Sequence, residues 1–348
     1  MELPRGFGAY VANIGIKDTT TDFVVVAAES VCPAAGVFTQ SRFSGPSVRV
    51  SRENIASQSA RAVVVISKNA NVATGEHGLN DTREIIVGVA NRLGCDPNHV
   101  LIASTGVIGR MYPMDNVRAG MRHVPASPSS RDVDAVARAI MTTDTIHKVA
   151  ESIVVGSNAR IVGVAKGVGM IEPNMATLIT LMFTDALIEG AELDKIFRRV
   201  IDKTFNCLSI DTDTSTSDTA IILAGGAAGN VDLAKFEQAL YEVALALTRQ
   251  VARDGEGAEK LIEVCVDGAR DEHQAKLVAK SIVNSPLVKT AVHGADPNWG
   301  RVAMAIGKCS EETDIDQRRV VIRFGPQEVY PTFVDTPGVR RVKQIHAR

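Results

Sequence analysis

Short apolar runs rich in β-branched residues alternate with stretches of helical periodicity along the whole chain, and that alternation restricts the fold to sheets covered by helices. Phe23-Val24-Val25-Val26 and Ala62-Val63-Val64-Val65-Ile66 read as buried strands. A helix is expected over 81–93, with Asn80 or Asp81 as N-cap, Glu84 in the first turn and Gly94 past the end. Leu193, Ile196, Phe197, Val200 and Ile201 place one apolar stripe along a second helix. Leu233, Phe236, Leu240, Val243, Leu247 and Val251 do the same in a longer one, which runs into Asp254-Gly255-Glu256-Gly257, a stop signal that carries a carboxylate. A strand at 261–266 and a helix at 274–282 follow. No solenoid repeat is present. The class is α/β or α+β with layered sheets, and the pattern alone does not choose between them.

The 348 residues are 45% hydrophobic and carry a formal net charge of -2. That is enough chain for a real core, and it offers no basic face to nucleic acid or to an anionic membrane. A small molecule is the expected partner. The five cysteines are widely and irregularly spaced with no CxxC pair, which fits a reducing cytoplasm better than a disulfide framework or zinc knuckle. The N-terminus lacks the basic and apolar regions of a signal peptide, and no apolar run approaches the ~18 residues of a membrane span. Asp211-Thr-Asp213-Thr-Ser215 begins like a calcium loop, but Thr216 and Ile222 stand where Gly and Glu would be required. No pair of histidines falls at i, i+4, and nucleotide-binding signatures are absent. Neither a metal nor an organic cofactor is expected. His293 reads as structural, near the active site at most, and the lone Trp299 as core packing rather than a stacking platform.

The informative stretch is Lys166-Gly167-Val168-Gly169-Met170-Ile171-Glu172-Pro173-Asn174-Met175-Ala176-Thr177-Leu178. A strand precedes it at 159–164, and the apolar run 178–183 after it reads as a buried central strand. Thr177 therefore opens a core strand at the end of a tight loop. A Thr hydroxyl is a weak nucleophile unless a base sits beside it. Cutting the bond before Thr177 would supply one, because the new α-amino group has a pKa of roughly 7.7–8.0. The same hydroxyl could make that cut by attacking the Ala176 carbonyl in an N-to-O acyl shift, and a small residue at 176 leaves room for it. On spacing alone, a Gly/Pro turn feeding an ordinary strand is the favoured account of the stretch, because such turns are common.

Taken whole, the segment closely resembles the cleavage-site signature of the ornithine acetyltransferase family (glutamate N-acetyltransferases). So do Ala103-Ser104-Thr105-Gly106-Val107-Ile108-Gly109, Met141-Thr142-Thr143-Asp144-Thr145 and Asp211-Thr-Asp-Thr-Ser-Thr-Ser-Asp218. Asp254-Gly-Glu-Gly-Ala258 and His293-Gly-Ala-Asp-Pro-Asn-Trp-Gly-Arg301 complete the set, in the family's order, across roughly residues 5 to 331. The resemblance is especially close to paralogues of β-lactam-type biosynthetic clusters.

The resemblance implies an αββα sandwich like that of N-terminal-nucleophile enzymes over 1–275, with a smaller C-terminal α/β domain over 276–348. It implies cleavage between Ala176 and Thr177, Thr177 as nucleophile, and Thr105 with Gly106 as the oxyanion hole. It assigns substrate contacts to Thr142 (Thr143 if the register slips by one), Lys166, Thr177 and Glu256. The glycines flanking Glu256 would let backbone approach a ligand closely. The expected reaction moves acetyl from N-acetylornithine to glutamate in a ping-pong cycle, with acetyl-CoA as a further candidate donor, in an α2β2 assembly of the cleaved chains. Two alternatives stand beside it: an amidase or aminopeptidase using the same nucleophile with water, and an inactive paralogue. The second arises because the resemblance fades after Val329-Tyr330-Pro331. The basic ending reads as truncated and shows neither the Asn nor the Thr that contacts substrate in typical members.

Overall fold

The computed structural model describes residues 1–172 and 178–331. In chain order its first unit contains β1 (Phe7–Ala12), β2 (Phe23–Phe38), α1 (Pro46–Asn54), β3 (Ser59–Asn69), α2 (Gly75–Leu93), β4 (Val100–Val107), α3 (Met114–Met121), α4 (Val133–Ile140) and β5 (Lys148–Ile153). It continues with β6 (Arg160–Lys166), β7 (Ile179–Leu187), α5 (Gly190–Lys203), β8 (Thr219–Asn230) and α6 (Leu233–Arg253). The second unit contains α7 (Glu272–Val283), α8 (Pro286–His293), α9 (Trp299–Gly307), β9 (Ile322–Phe324) and β10 (Gln327–Tyr330).

The strands run in the order β4-β3-β2-β8-β7-β6-β5, with β1 added to β2. β3 pairs with β4, and β7 with β8, in parallel; the other pairings are antiparallel. β2 is the seam. Its first half pairs with β1 and β3, while 34–38 pair with β8. At Glu29, Ser30 and Val31, which are exposed, the ladder to β3 is interrupted, and it resumes at Cys32 and Pro33.

Period-two alternation then sorts the side chains into layers. Val25, Val64, Ile66 and Ile102 point outward onto α2 and α3. Val24, Val63, Val65 and Leu101 point inward to meet Val162, Val164, Leu181, Phe183 and Ile221 from the other half. Ile161, Met182 and Ile222 point outward again, onto the apolar stripes of α5 and α6. The result is four layers, helix–sheet–sheet–helix, as expected. Phe7 and Phe183 touch between the sheets, ring centroids 5.4 Å apart, and α4 contributes Val133, Val136 and Ile140 to the same interior. Val63 to Ile66 are almost wholly buried, each contributing about 1.5–3 kcal/mol relative to exposure.

Three expectations need correction. The helix expected to start at Asn80 or Asp81 starts at Gly75 with Thr74 as N-cap, and only its end, with Gly94 left-handed, falls where the sequence put it. The strand expected over 261–266 is not regular structure. Trp299 is only half-buried and stacks on Tyr330 at 5.2 Å. The chain divides into compact units at Glu256 and Gly257, whereas the resemblance implies a boundary at 275/276. The second unit packs around Val278, Ile282, Val288 and Ala305. Among the described residues no helix is long and apolar enough to cross a membrane, and the five cysteines are free.

Candidate active site

Where β6 ends, the chain runs Lys166 straight into Gly167, and a buried charge network assembles around that point. Asp144 accepts from the Gly167 amide at 2.7 Å and from the Thr142 amide at 3.0 Å. Its Oδ1 also takes Lys148 Nζ at 2.8 Å. Lys148, fully buried, reaches Asp254 at 2.5 Å as well, and Asp254 in turn accepts from the amide and hydroxyl of Thr145. Burial pushes the Asp144 carboxyl up, but Lys166 and Lys148 together outweigh it and hold the group below the ordinary carboxylate range.

Lys166 is 4% exposed. A surface lysine would be the common expectation for this residue type. Here Nζ makes no hydrogen bond or ion pair with any described residue. Burial, reinforced by Lys148, lowers its pKa against the pull of Asp144 and Asp218.

The loop after Lys166 is zipped onto a second segment. Asp211 accepts from the Met170 and Ile171 amides at 2.6 and 2.8 Å. Ile171 and Glu172 bond the backbone of Ile210 and Asp213. The Glu256 amide donates to Val168 at 2.7 Å. A Cβ on Gly169 would lie 2.9 Å from Glu256 Oε2, so the exposed Glu256 carboxylate rests directly over the glycine. On the far side Leu178, buried at the start of β7, accepts from the Thr219 amide at 3.0 Å. Both flanks of 173–177 are thereby fixed. Ala176 and Thr177 themselves lie outside the described residues.

Thr105 and Gly106 close β4, in register with Ser67 and Lys68 of β3. Gly106 has φ +135°, and a Cβ there would fall 2.1 Å from the Lys68 carbonyl carbon. Only glycine fits. Lys68 lines a cleft of about 880 Å³ that Thr142 and Asp144 also line. Lys17, in the same wall, donates to the carbonyls of Thr21 and Met141. Burial first, then the neighbouring Lys68 and Lys166, bring its pKa down to about 8 against Asp22 and Asp144. The structure thus gathers Thr142, Lys166 and Glu256 about one loop, and the Thr105–Gly106 pair joins them through Lys68. His293 is exposed in the second unit.

Sequence reasoning assigned no role to Asp218. It is wholly buried just before β8, and neither carboxyl oxygen has a hydrogen-bond partner of normal geometry among the described residues. Thr39, which faces it, donates instead to the Ser215 carbonyl at 2.7 Å. Burial pushes its pKa well above the ordinary value, only partly countered by the Leu178 amide, the Thr39 hydroxyl and Lys166. Its place at the end of the Asp211–Asp218 motif was the available signal.

The raised pKa has a sign. Folding takes up a proton at Asp218, so stability is complete below the unfolded carboxylate pKa and declines as pH rises towards the folded one. Asp218→Asn, neutral at every pH, is expected to match the parent near pH 4.5. At pH 8 it is expected to be more stable by about 1–3 kcal/mol. Thermal melts at the two pH values decide this, and a gap that does not widen with pH would acquit the carboxyl.

Charge buried to this degree at strand ends beside an open cleft marks an enzyme site. The chain matches the ArgJ family over residues 8–343, and it belongs to that family. It is 56% identical over 345 residues to the arginine biosynthesis bifunctional protein ArgJ 2 of Nostoc sp., covering 99% of this chain and 89% of that one. It is 57% identical over 329 residues to the glutamate N-acetyltransferase Oat2 of Streptomyces clavuligerus, covering 94% and 83%. The crystal structure of the Bacillus halodurans protein argJ shares 33% identity over 51% of this chain and 95% of that chain, with a TM-score of 0.48.

Proposed function

We propose that this protein is an acyltransferase that moves acetyl from N-acetylornithine to glutamate through an ester on Thr177. The observation that carries the reading is family membership across nearly the whole chain, among relatives named as glutamate N-acetyltransferase and arginine biosynthesis proteins. The steps follow from the chemistry of a threonine with a free amine. Thr177 Oγ first attacks the Ala176 carbonyl, the peptide nitrogen leaves as an amine, and water hydrolyses the resulting ester. In each turnover the Thr177 amine takes the hydroxyl proton while Oγ attacks the acetyl amide. The oxyanion faces Thr105 and the Gly106 N–H, and the protonated ornithine amine departs. The glutamate amine then attacks the acetyl ester and regenerates the hydroxyl.

Lys166 holds the substrate carboxylate, with Thr142 and Glu256 contacting the remainder of the amino acid. The buried Lys166 ammonium, whose Nζ has no hydrogen-bond or ion-pair partner among the described residues, supports that role, because burying a charge is costly unless a counter-charge arrives. The cleaved chains stay together as α2β2 in the cytoplasm; free cysteines support a reducing compartment.

Intact mass and an acetyl-transfer assay test the reading together. The parent is expected as two chains parted between 176 and 177, active with N-acetylornithine and glutamate. Thr177→Ala is expected as one uncut, inactive chain. Cleavage or transfer surviving in Thr177→Ala would remove the nucleophile from the mechanism, and acetyl release indifferent to glutamate would make the protein a hydrolase.

A further inference from the structure

Lys68 is a lysine where the backbone asks for a glycine. Its φ is +78°, a region that residues with a Cβ rarely occupy and that clusters at functional sites when they do. The pairing with Gly106 holds it there: the glycine's missing side chain lets the Lys68 carbonyl come close, and the lysine side chain emerges exposed in the wall of the cleft.

The other charges around that cleft are mostly committed. Lys17 is bonded to backbone carbonyls, His147 to Asp134 at 3.0 Å, and Asp144 to Lys148. The side chains of Lys68 and Arg138 make no hydrogen bond or ion pair with a described residue. Asp18 is the one other charged lining group. Two free cations in one concave, threonine-lined wall suit an anion, and the Thr105–Gly106 end of β4 lies alongside the first of them.

We propose that Lys68, seconded by Arg138, forms a carboxylate subsite that selects the amino-acid substrate bearing a side-chain carboxylate. The inference rests on the acetyl-transfer reading and names its acceptor subsite. Ammonium and carboxylate meet as point charges in the cleft, and an amide in the carboxylate's place leaves the cations unpaired.

The test is calorimetric titration of the purified protein with glutamate and with glutamine, which needs no turnover. The parent is expected to bind glutamate at least tenfold more tightly than glutamine. Lys68→Gly and Lys68→Met are each expected to lose about tenfold in glutamate affinity with glutamine unchanged, while Lys68→Arg keeps the preference. Lys68→Gly also relieves the positive-φ strain, so its Tm is expected at or above the parent's, and weakened binding cannot then be assigned to unfolding. Unchanged glutamate affinity in both uncharged variants, an equal loss for glutamine, or a parent that does not distinguish the two ligands overturns the subsite. The transfer assay on the parent separately reports whether the acetyl-transfer reading stands.

Discussion

Lys148→Met is expected to cost roughly 3–5 kcal/mol at neutral pH, the range measured when one partner of a buried ion pair is removed. The ammonium is fully buried and joins Asp144 at 2.8 Å to Asp254 at 2.5 Å. Methionine fills most of the volume but leaves both carboxylates facing a thioether. At about 2–4 °C per kcal/mol for a unit of this size, Tm should fall by on the order of 10 °C.

The pH dependence separates charge from packing. Asp144 has a depressed pKa in the folded protein, so its contribution is present above the unfolded carboxylate pKa and is lost as pH falls through the folded one. The deficit of Lys148→Met is therefore expected to shrink as pH falls towards the depressed Asp144 value, where that carboxylate takes up a proton in the parent as well. A deficit equal at pH 4 and pH 7.5 would mean that lost packing, not lost charge, explains the effect.

Gly106→Ala is the second large effect. The new Cβ would meet the Lys68 carbonyl carbon at 2.1 Å, its oxygen at 2.3 Å and the Asn69 nitrogen at 2.6 Å. All three are backbone atoms of the paired strand, so no side chain can swing away. Added to the penalty of φ +135°, the cost is expected to be about 2–5 kcal/mol. Gly109→Ala is the control: it also has positive φ, but nothing lies within 4 Å of the point its Cβ would occupy, so only about 1–2 kcal/mol is expected. On the proposed mechanism, splaying β3 from β4 also displaces an oxyanion donor, with a loss of about 10²–10³ in turnover. Denaturant melts and transfer rates of the two variants check both halves. Equal stability of the two would show that the close approach to Lys68 is not what makes glycine necessary.

The layered class was legible because its strands and helices carry unmixed periods: 62–66 alternates between two faces, and 193–201 keeps one stripe. Tertiary detail was not. Gly75 and Gly78 disguise the first turn of α2. A Cβ on Gly78 would strike Thr74 Oγ1 at 1.9 Å, a close approach that local propensity cannot announce. The run 261–266 has the apolar content of a strand but pairs with no described strand. Thr142, Lys166 and Glu256 were singled out through their motifs, yet the partnership of Lys148 with Asp254 spans 106 residues and leaves no mark in either segment. Asp218 shows the same limit. An orphaned carboxyl is a property of its surroundings, and a place at the end of the Asp211–Asp218 motif marks the residue without showing them.

One strand gives the two sheets a common spine. Because β2 pairs with β3 as far as Pro33 and with β8 from Ala34, the reach from Thr105 and Lys68 on one side to Lys166 and Asp218 on the other is governed by the pitch of that crossing. A substitution there would touch none of those side chains, and it would still change the stride between the two halves of the sandwich.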